Sequence, residues 1–317
     1  MKPRALTVCR LAEDQDRLKS RLRAVCHHVH VCSTLKEGLK ALQHDSYDLM
    51  ILDYDTVETS DIPLVEQAAT TPSNTQLFIL NNNPDKARLA KLLGAGFLTQ
   101  LFARERALEG DDLAIAISKL STGDIFGLDP YIEECGQREH HFLRNSVQKN
   151  ELLDRVDRFS EPHPLPARLK DHFKSVADEL ITNAVYNAPI CPEGQHRYSA
   201  LSRTVPVQLE AQQQVSLELA FDGHRLALAV TDPFGSLTPS TVLRSLTNCF
   251  QEGSLQINVG SGGAGMGLFY SLTSVSQMII NIQPGVRTEM IGILDVVGNY
   301  RNFVQQPKSF HLFVHRG

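Results

Sequence analysis

From residue 1 to residue 122, short apolar runs alternate with amphipathic stretches, and no other feature limits the fold so tightly. Strand candidates lie at 5–11, 29–32, 49–52, 77–80 and 96–98. Between them Leu18/Leu22/Val25 and Leu35/Leu39/Leu42 recur at helical spacing. Strands separated by helices of this size require crossover connections, hence a parallel sheet with helices on both faces. A last helix, over 108–120, closes this first domain.

The alternation stops near residue 124, and 317 residues suit two domains of ordinary size. Apolar residues at 42% and charged residues at 21% allow real cores and exclude a disordered chain. The net charge of −5 is spread evenly, with 15 basic against 17 acidic residues up to 124 and 16 against 19 beyond. Neither half has the basic excess that neutralises phosphate backbones, so no nucleic acid is expected as a partner. No apolar run is long enough to span a bilayer, and the start has no apolar signal core. No membrane insertion is expected. Cys9, Cys26, Cys32, Cys135, Cys191 and Cys249 show no CxxC spacing and read as small hydrophobes in a reducing compartment. The expected location is cytoplasmic. His27, His28 and His30 cluster near Cys32, but without further ligands in sequence they read as strand-edge histidines, and no zinc is assigned.

SYDLMILDYD, followed later by LGAGFLTQLF, resembles a response-regulator receiver domain, a doubly wound parallel (βα)5 sheet. By that resemblance Asp53 stands at the phospho-acceptor position. The paired metal-binding acids of the family fall on Cys9 and Arg10, its Thr/Ser on Asn81 and its lysine on Gln100. Phosphoryl transfer to a carboxylate needs a metal and a cation to neutralise growing charge. Asp53 is therefore expected to be a vestigial acceptor in a pseudo-receiver, although Glu13 and Asp14 lie just downstream.

In the bridge from 124 to 165, Phe142, Val147, Leu152, Leu153, Val156 and Phe159 recur at near-helical spacing and predict one long amphipathic helix. Such a helix suits packing or a homodimer. His140 and His141 at its start lack the Glu/Asp-hydrophobe-Arg-x-Pro-Leu context of sensor-kinase histidines.

Three motifs follow. A helical pattern from about 169 to 186 puts Glu179, Asn183 and Asn187 four apart on one face of an otherwise apolar helix. VSLELAF and RLALAVT alternate on either side of Asp222-Gly223, a hairpin signal, and the second strand delivers Asp232 to a turn, Asp232-Pro233-Phe234-Gly235. Finally, Gly260-Ser261-Gly262-Gly263-Ala264-Gly265-Met266-Gly267 precedes a helix-like run. Its glycines let backbone N–H groups approach an anion, and no Walker lysine follows.

In this order the motifs resemble the N box and the two glycine boxes of GHKL ATPases, over about 166–297 and nearest to the anti-sigma-factor serine kinases. The resemblance implies an α/β sandwich with a mixed sheet, binding ATP and Mg²⁺. Asn183 would hold the metal, Asp232 the adenine amino group, and Gly235 would belong to the first glycine box. Gly263, Gly265 and Gly267 would line the triphosphate in a lid over about 236–262, and Thr288 would support adenine through water. Asn187 replaces a histidine common in that branch, and Phe234 replaces a glycine, where its ring either tightens the pocket or obstructs it. Glu179 would be the catalytic base.

The map is then a pseudo-receiver over 1–123, a linker over 124–165, an ATP-binding domain over 166–297 and a tail over 298–317, in which 309–314 is a further strand candidate. Receiver–ATPase pairings of this kind belong to bacterial signalling. The expected function is phosphorylation of a partner protein on Ser. The alternative is a catalytically inactive, nucleotide-gated interaction switch.

Overall fold

The computed structural model describes residues 2–57, 63–65, 75–82, 98–134, 136–191, 194–251 and 264–315. They form two compact units: Met1–Asp124 with Gln306–His311, and Ile125–Gln305 with Leu312–Gly317.

In the first unit β1 (Arg4–Val8), α1 (Ala12–Val25), β2 (His28–Cys32), α2 (Leu35–His44) and β3 (Leu49–Asp53) are followed by β4 (Gln76–Asn81), β5 (Gln100–Ala103), α3 (Arg104–Glu109) and α4 (Asp112–Thr122). The strands run parallel in the order β2-β1-β3-β4-β5. Every residue of β3 is buried, as a central strand covered on both faces requires. Thr34 and Glu37 cap α2 reciprocally. That helix packs so closely on β1 that a Cβ at Gly38 would lie 2.6 Å from Val8 Cγ2.

Two expectations for this unit need correcting. The strand observed here is Gln100–Ala103, where Gln100 and Phe102 register with Phe78 and Leu80; of the predicted 96–98 only Leu98 is among the described residues, and it precedes the strand. The single closing helix is two, broken at Gly110 and braced by a 2.7 Å contact from Arg106 Nε to Asp112 Oδ2. The tail contributes a strand, β11 (Ser309–Val314), whose Phe310 and His311 pair antiparallel with Leu101 and Gln100.

The second unit contains β6 (Gln137–Leu143), α5 (Lys149–Ser160), α6 (Ala167–Thr182), β7 (Val215–Phe221), β8 (Arg225–Asp232), α7 (Pro239–Gln251), α8 (Ala264–Ser274), β9 (Gln277–Gln283), β10 (Arg287–Asp295) and α9 (Tyr300–Gln305). Its strands are ordered β9-β10-β8-β7-β6. The four ladders described among them are antiparallel. Parallel ladders occur in the first unit. The β7–β8 hairpin turns at Asp222-Gly223 as predicted: Gly223 has φ +96°, and Asp222 Oδ1 accepts from His224 N and Arg225 N.

The bridge is not one helix. Residues Gln137–Leu143 form β6 against β7, which places His140 and His141 on a strand and leaves Phe142 exposed. The apparent helical spacing ran across two elements, and of the predicted apolar residues only Leu152, Val156 and Phe159 are buried on α5. The segment taken for a lid begins as the packed helix α7, with Val242 and Leu246 fully buried. Among the described residues no helix is long and apolar enough to cross a membrane. Cys9, Cys26 and Cys32 are buried free thiols, Cys191 and Cys249 are partly exposed, and Cys135 lies outside the described residues.

Candidate functional site

In the second unit, Leu169, Phe173, Val176, Leu180 and Ile181 bury one face of α6. Directly after Thr182 the helix widens into a π turn over Asn183–Asn187, a distortion often found at functional sites. The polar face keeps its spacing and is internally bonded. Asn183 Nδ2 donates to Glu179 Oε1 at 2.8 Å, and Asn187 Nδ2 to Asn183 Oδ1 at 2.6 Å. Burial raises the pKa of Glu179, partly opposed by the Asn183 donor.

A cavity of about 230 Å³ lies beside this face. Asn183 and Asn187 line it together with Asp232 and Thr288, while Leu180, Val230 and Met290 supply apolar walls. Four predicted residues from three separate segments therefore converge on one cavity. Asp232 and Thr288 are register partners across β8 and β10. Asp232 is 7% exposed, and its Oδ1 accepts from Phe234 N at 3.0 Å. Burial pushes its pKa up to about 7, against the pull of the Phe234 and Gly235 N–H groups and the nearby Thr288 hydroxyl. Thr288 Oγ1 is itself buried and makes no hydrogen bond of good geometry among the described residues. The cavity therefore sets a protonatable carboxyl and a buried hydroxyl side by side between apolar walls.

The remaining predicted residues are placed differently. Phe234 is buried and does not line the cavity, so its ring does not obstruct it. Gly235 is not among the described residues lining the cavity; it has φ +57°, and a Cβ there would come within 2.2 Å of Gln283 O, so it packs closely on the β9–β10 turn. Gly267 is on α8, where a Cβ would fall 1.8 Å from Glu179 Oε1. Gly265 is in the first turn of α8, and Gly263 lies outside the described residues. Ser236, Thr241, Ser245 and His196 also line the cavity, although no motif pointed to them. Ser236 Oγ donates to Ala188 O, which links the turn after β8 to the end of the π turn.

In the first unit, Asp53 is at the end of β3, where the strand order reverses beside β1, the usual ligand crevice of such sheets. It is not a lone carboxylate. The buried Arg104 guanidinium bridges Asp53 Oδ2, at 3.2 Å, and Asp14 Oδ2. Burial would lower the Arg104 pKa, but Asp53 and Asp14 outweigh it and raise the value. Cys9 Sγ donates to Asp53 Oδ2 at 3.4 Å, and burial, reinforced by Asp53, pushes its pKa up to about 12. Cys9, Asp14 and Asp53 offer ligand atoms within 4.8 Å of one another. A thiol that keeps its proton and a guanidinium already between the carboxylates do not suit a metal ion.

No family model matches the sequence, and no curated protein does. Among solved structures, the RcsB response regulator of Salmonella typhimurium aligns at 15% identity and TM-score 0.34, over 49% of this chain and 77% of that one. The isolated receiver domain of RcsB from Salmonella enterica serovar Typhimurium, with a beryllofluoride phosphomimetic, aligns at 14% identity and TM-score 0.34, over 40% and 93%.

Proposed function

We propose that the chain is a signalling protein whose second unit binds ATP with Mg²⁺ and directs the γ-phosphoryl group to a hydroxyl on a partner protein. The receiver-like first unit would be regulatory and take no phosphoryl group. The observation that supports this best is the convergence of Asn183, Asn187, Asp232 and Thr288 on one cavity. Its floor has the polarity an aminopurine needs. The carboxyl of Asp232 would accept from the exocyclic amino group, and the neighbouring Thr288 hydroxyl would bond a ring nitrogen directly or through water. At the other end Asn183 would hold the metal. Once bound, Mg²⁺–ATP would supply the phosphoryl group and neutralise charge as it develops.

Glu179, which does not itself line the cavity but accepts from Asn183, which does, would take the proton of an incoming hydroxyl. Its raised pKa brings it nearer to neutral pH, where a general base works best. For the first unit, Arg104 already neutralises Asp53, which is 1% exposed. Both facts argue against attack on a phosphodonor.

One observation favours a second reading, a nucleotide-gated switch without turnover. Glu179 Oε1 is already occupied by Asn183, and its carboxyl rests against Gly267. Incubation with Mg²⁺ and γ-labelled ATP, with and without cell extract, separates the two. Transfer of label that falls by about 10²-fold or more in Glu179→Ala supports the kinase. Stoichiometric ATP binding without transfer or hydrolysis supports the switch. Absence of any ATP binding would refute both.

A further inference from the structure

Resting on the nucleotide reading above, we propose that Arg203 contacts the phosphates of the ligand and makes the site selective for a nucleotide over its nucleoside. A polyphosphate carries several negative charges, and a site for one needs a cation near its far end. None of the described residues lining the cavity is a lysine or an arginine. The nearby cations are mostly engaged. Lys149 pairs with Asp178 at 2.7 Å and donates to Thr182, while Arg197 lies over Tyr198 and 4.0 Å from Glu210.

Arg203 differs from both. Its Nη2 donates to Asn187 Oδ1 at 2.9 Å, extending the chain of hydrogen bonds that runs through Asn187 and Asn183 to Glu179. The guanidinium is exposed, and its other N–H groups make no protein hydrogen bond among the described residues. It is also pre-positioned. Its charged end lies 4.7 Å from the centre of the Tyr186 ring, and the Tyr186 hydroxyl donates to Arg203 O at 3.0 Å and to Val205 O at 2.9 Å. Tyr186 belongs to the same π turn that presents Asn183 and Asn187, so one distortion orients both amides and the arginine. An arginine held ready against Asn187, a residue that lines the cavity, with donors to spare, loses little freedom when it meets an anion.

The test is calorimetric titration of the full chain with ATP, ADP and adenosine, each with Mg²⁺, using wild type, Arg203→Ala, Arg203→Lys and Tyr186→Phe. In Arg203→Ala, ATP affinity is expected to fall about tenfold or more while adenosine affinity stays within about twofold. Arg203→Lys should recover part of the loss. Tyr186→Phe, which keeps the ring but frees the two carbonyls, should weaken ATP selectively, and it carries the test if Arg203→Ala does not fold. Unchanged ATP affinity in Arg203→Ala, or equal losses for ATP and adenosine, would overturn the role of Arg203 and leave the pocket standing. A wild-type chain that binds neither ligand would instead remove the nucleotide site, and this inference with it.

Discussion

Buried at the end of β8, Asp232 keeps its proton through a pH range in which an exposed aspartate has lost it. Its pKa rises from 3.8 to about 7, chiefly through burial. Between those values the folded chain holds a proton that the unfolded chain has released. Its contribution to stability is therefore whole below 3.8 and gone once the pH passes about 7. Asp232→Asn removes the slope. In urea unfolding the two proteins should be similar near pH 5, and at pH 8 the amide variant should be more stable by on the order of 1 kcal/mol. An equal deficit in the variant at both pH values would show that the charge is not the cause. Asp232 could be picked out from its place between an alternating strand and a Pro/Gly turn. Arg104 and Arg203 could not. Their pairing with Asp53 and Asn187 depends on chain segments that meet only after folding.

Gly235 shows how one backbone position can hold several elements together. It follows β8, has φ +57°, and accepts from Gly285 N in the β9–β10 turn at 3.0 Å. A Cβ there would come within 2.2 Å of Gln283 O and 2.6 Å of Val286 N, all of it backbone that cannot turn aside. Gly235→Ala should lower stability by about 2 kcal/mol or more and disturb Asp232, read as a lower melting temperature and weaker nucleotide binding. A melting temperature equal to wild type would show that the turn can move. Elements with one clean period were the easiest to anticipate: the β7–β8 hairpin, the buried face of α6 and the βα alternation of the first unit. β6 was missed because QREHHFL lies at a sheet edge with most residues exposed, so its apolar residues merged with those of α5 into a false helical repeat. The π turn left no sign in composition.

The two units carry opposite responses to acid. In the first, β11 buries His311 beside Gln100 and the Phe102 ring, and burial, with Arg106 and Lys119, lowers its pKa from 6.5 to about 3. The unfolded histidine takes up a proton near 6.5 and the folded one does not, so stability present above 6.5 is lost as the pH falls towards 3. Asp232 in the second unit works the other way. Hydrogen-exchange pulse labelling along a urea series should find β5 losing protection earlier at pH 5 than at pH 7, with His311→Gln narrowing the gap. No difference between variant and wild type at pH 5 would rule out His311 as the cause. Amino-acid order alone was enough for the parallel sheet of the first unit and for the hairpin, which are written in local periodicity and turn chemistry. Asn183, Asn187, Asp232 and Thr288 were singled out with the help of a family resemblance, and folding is what brings them to one cavity. Folding alone put Arg104 between acids 51 and 90 positions away, and His311 against a glutamine 211 positions earlier. It also pinned Arg203 to Asn187, across a loop of irregular backbone. Contacts between distant segments come from packing and from the neutralisation of buried charge, and neither leaves a periodic mark along the chain.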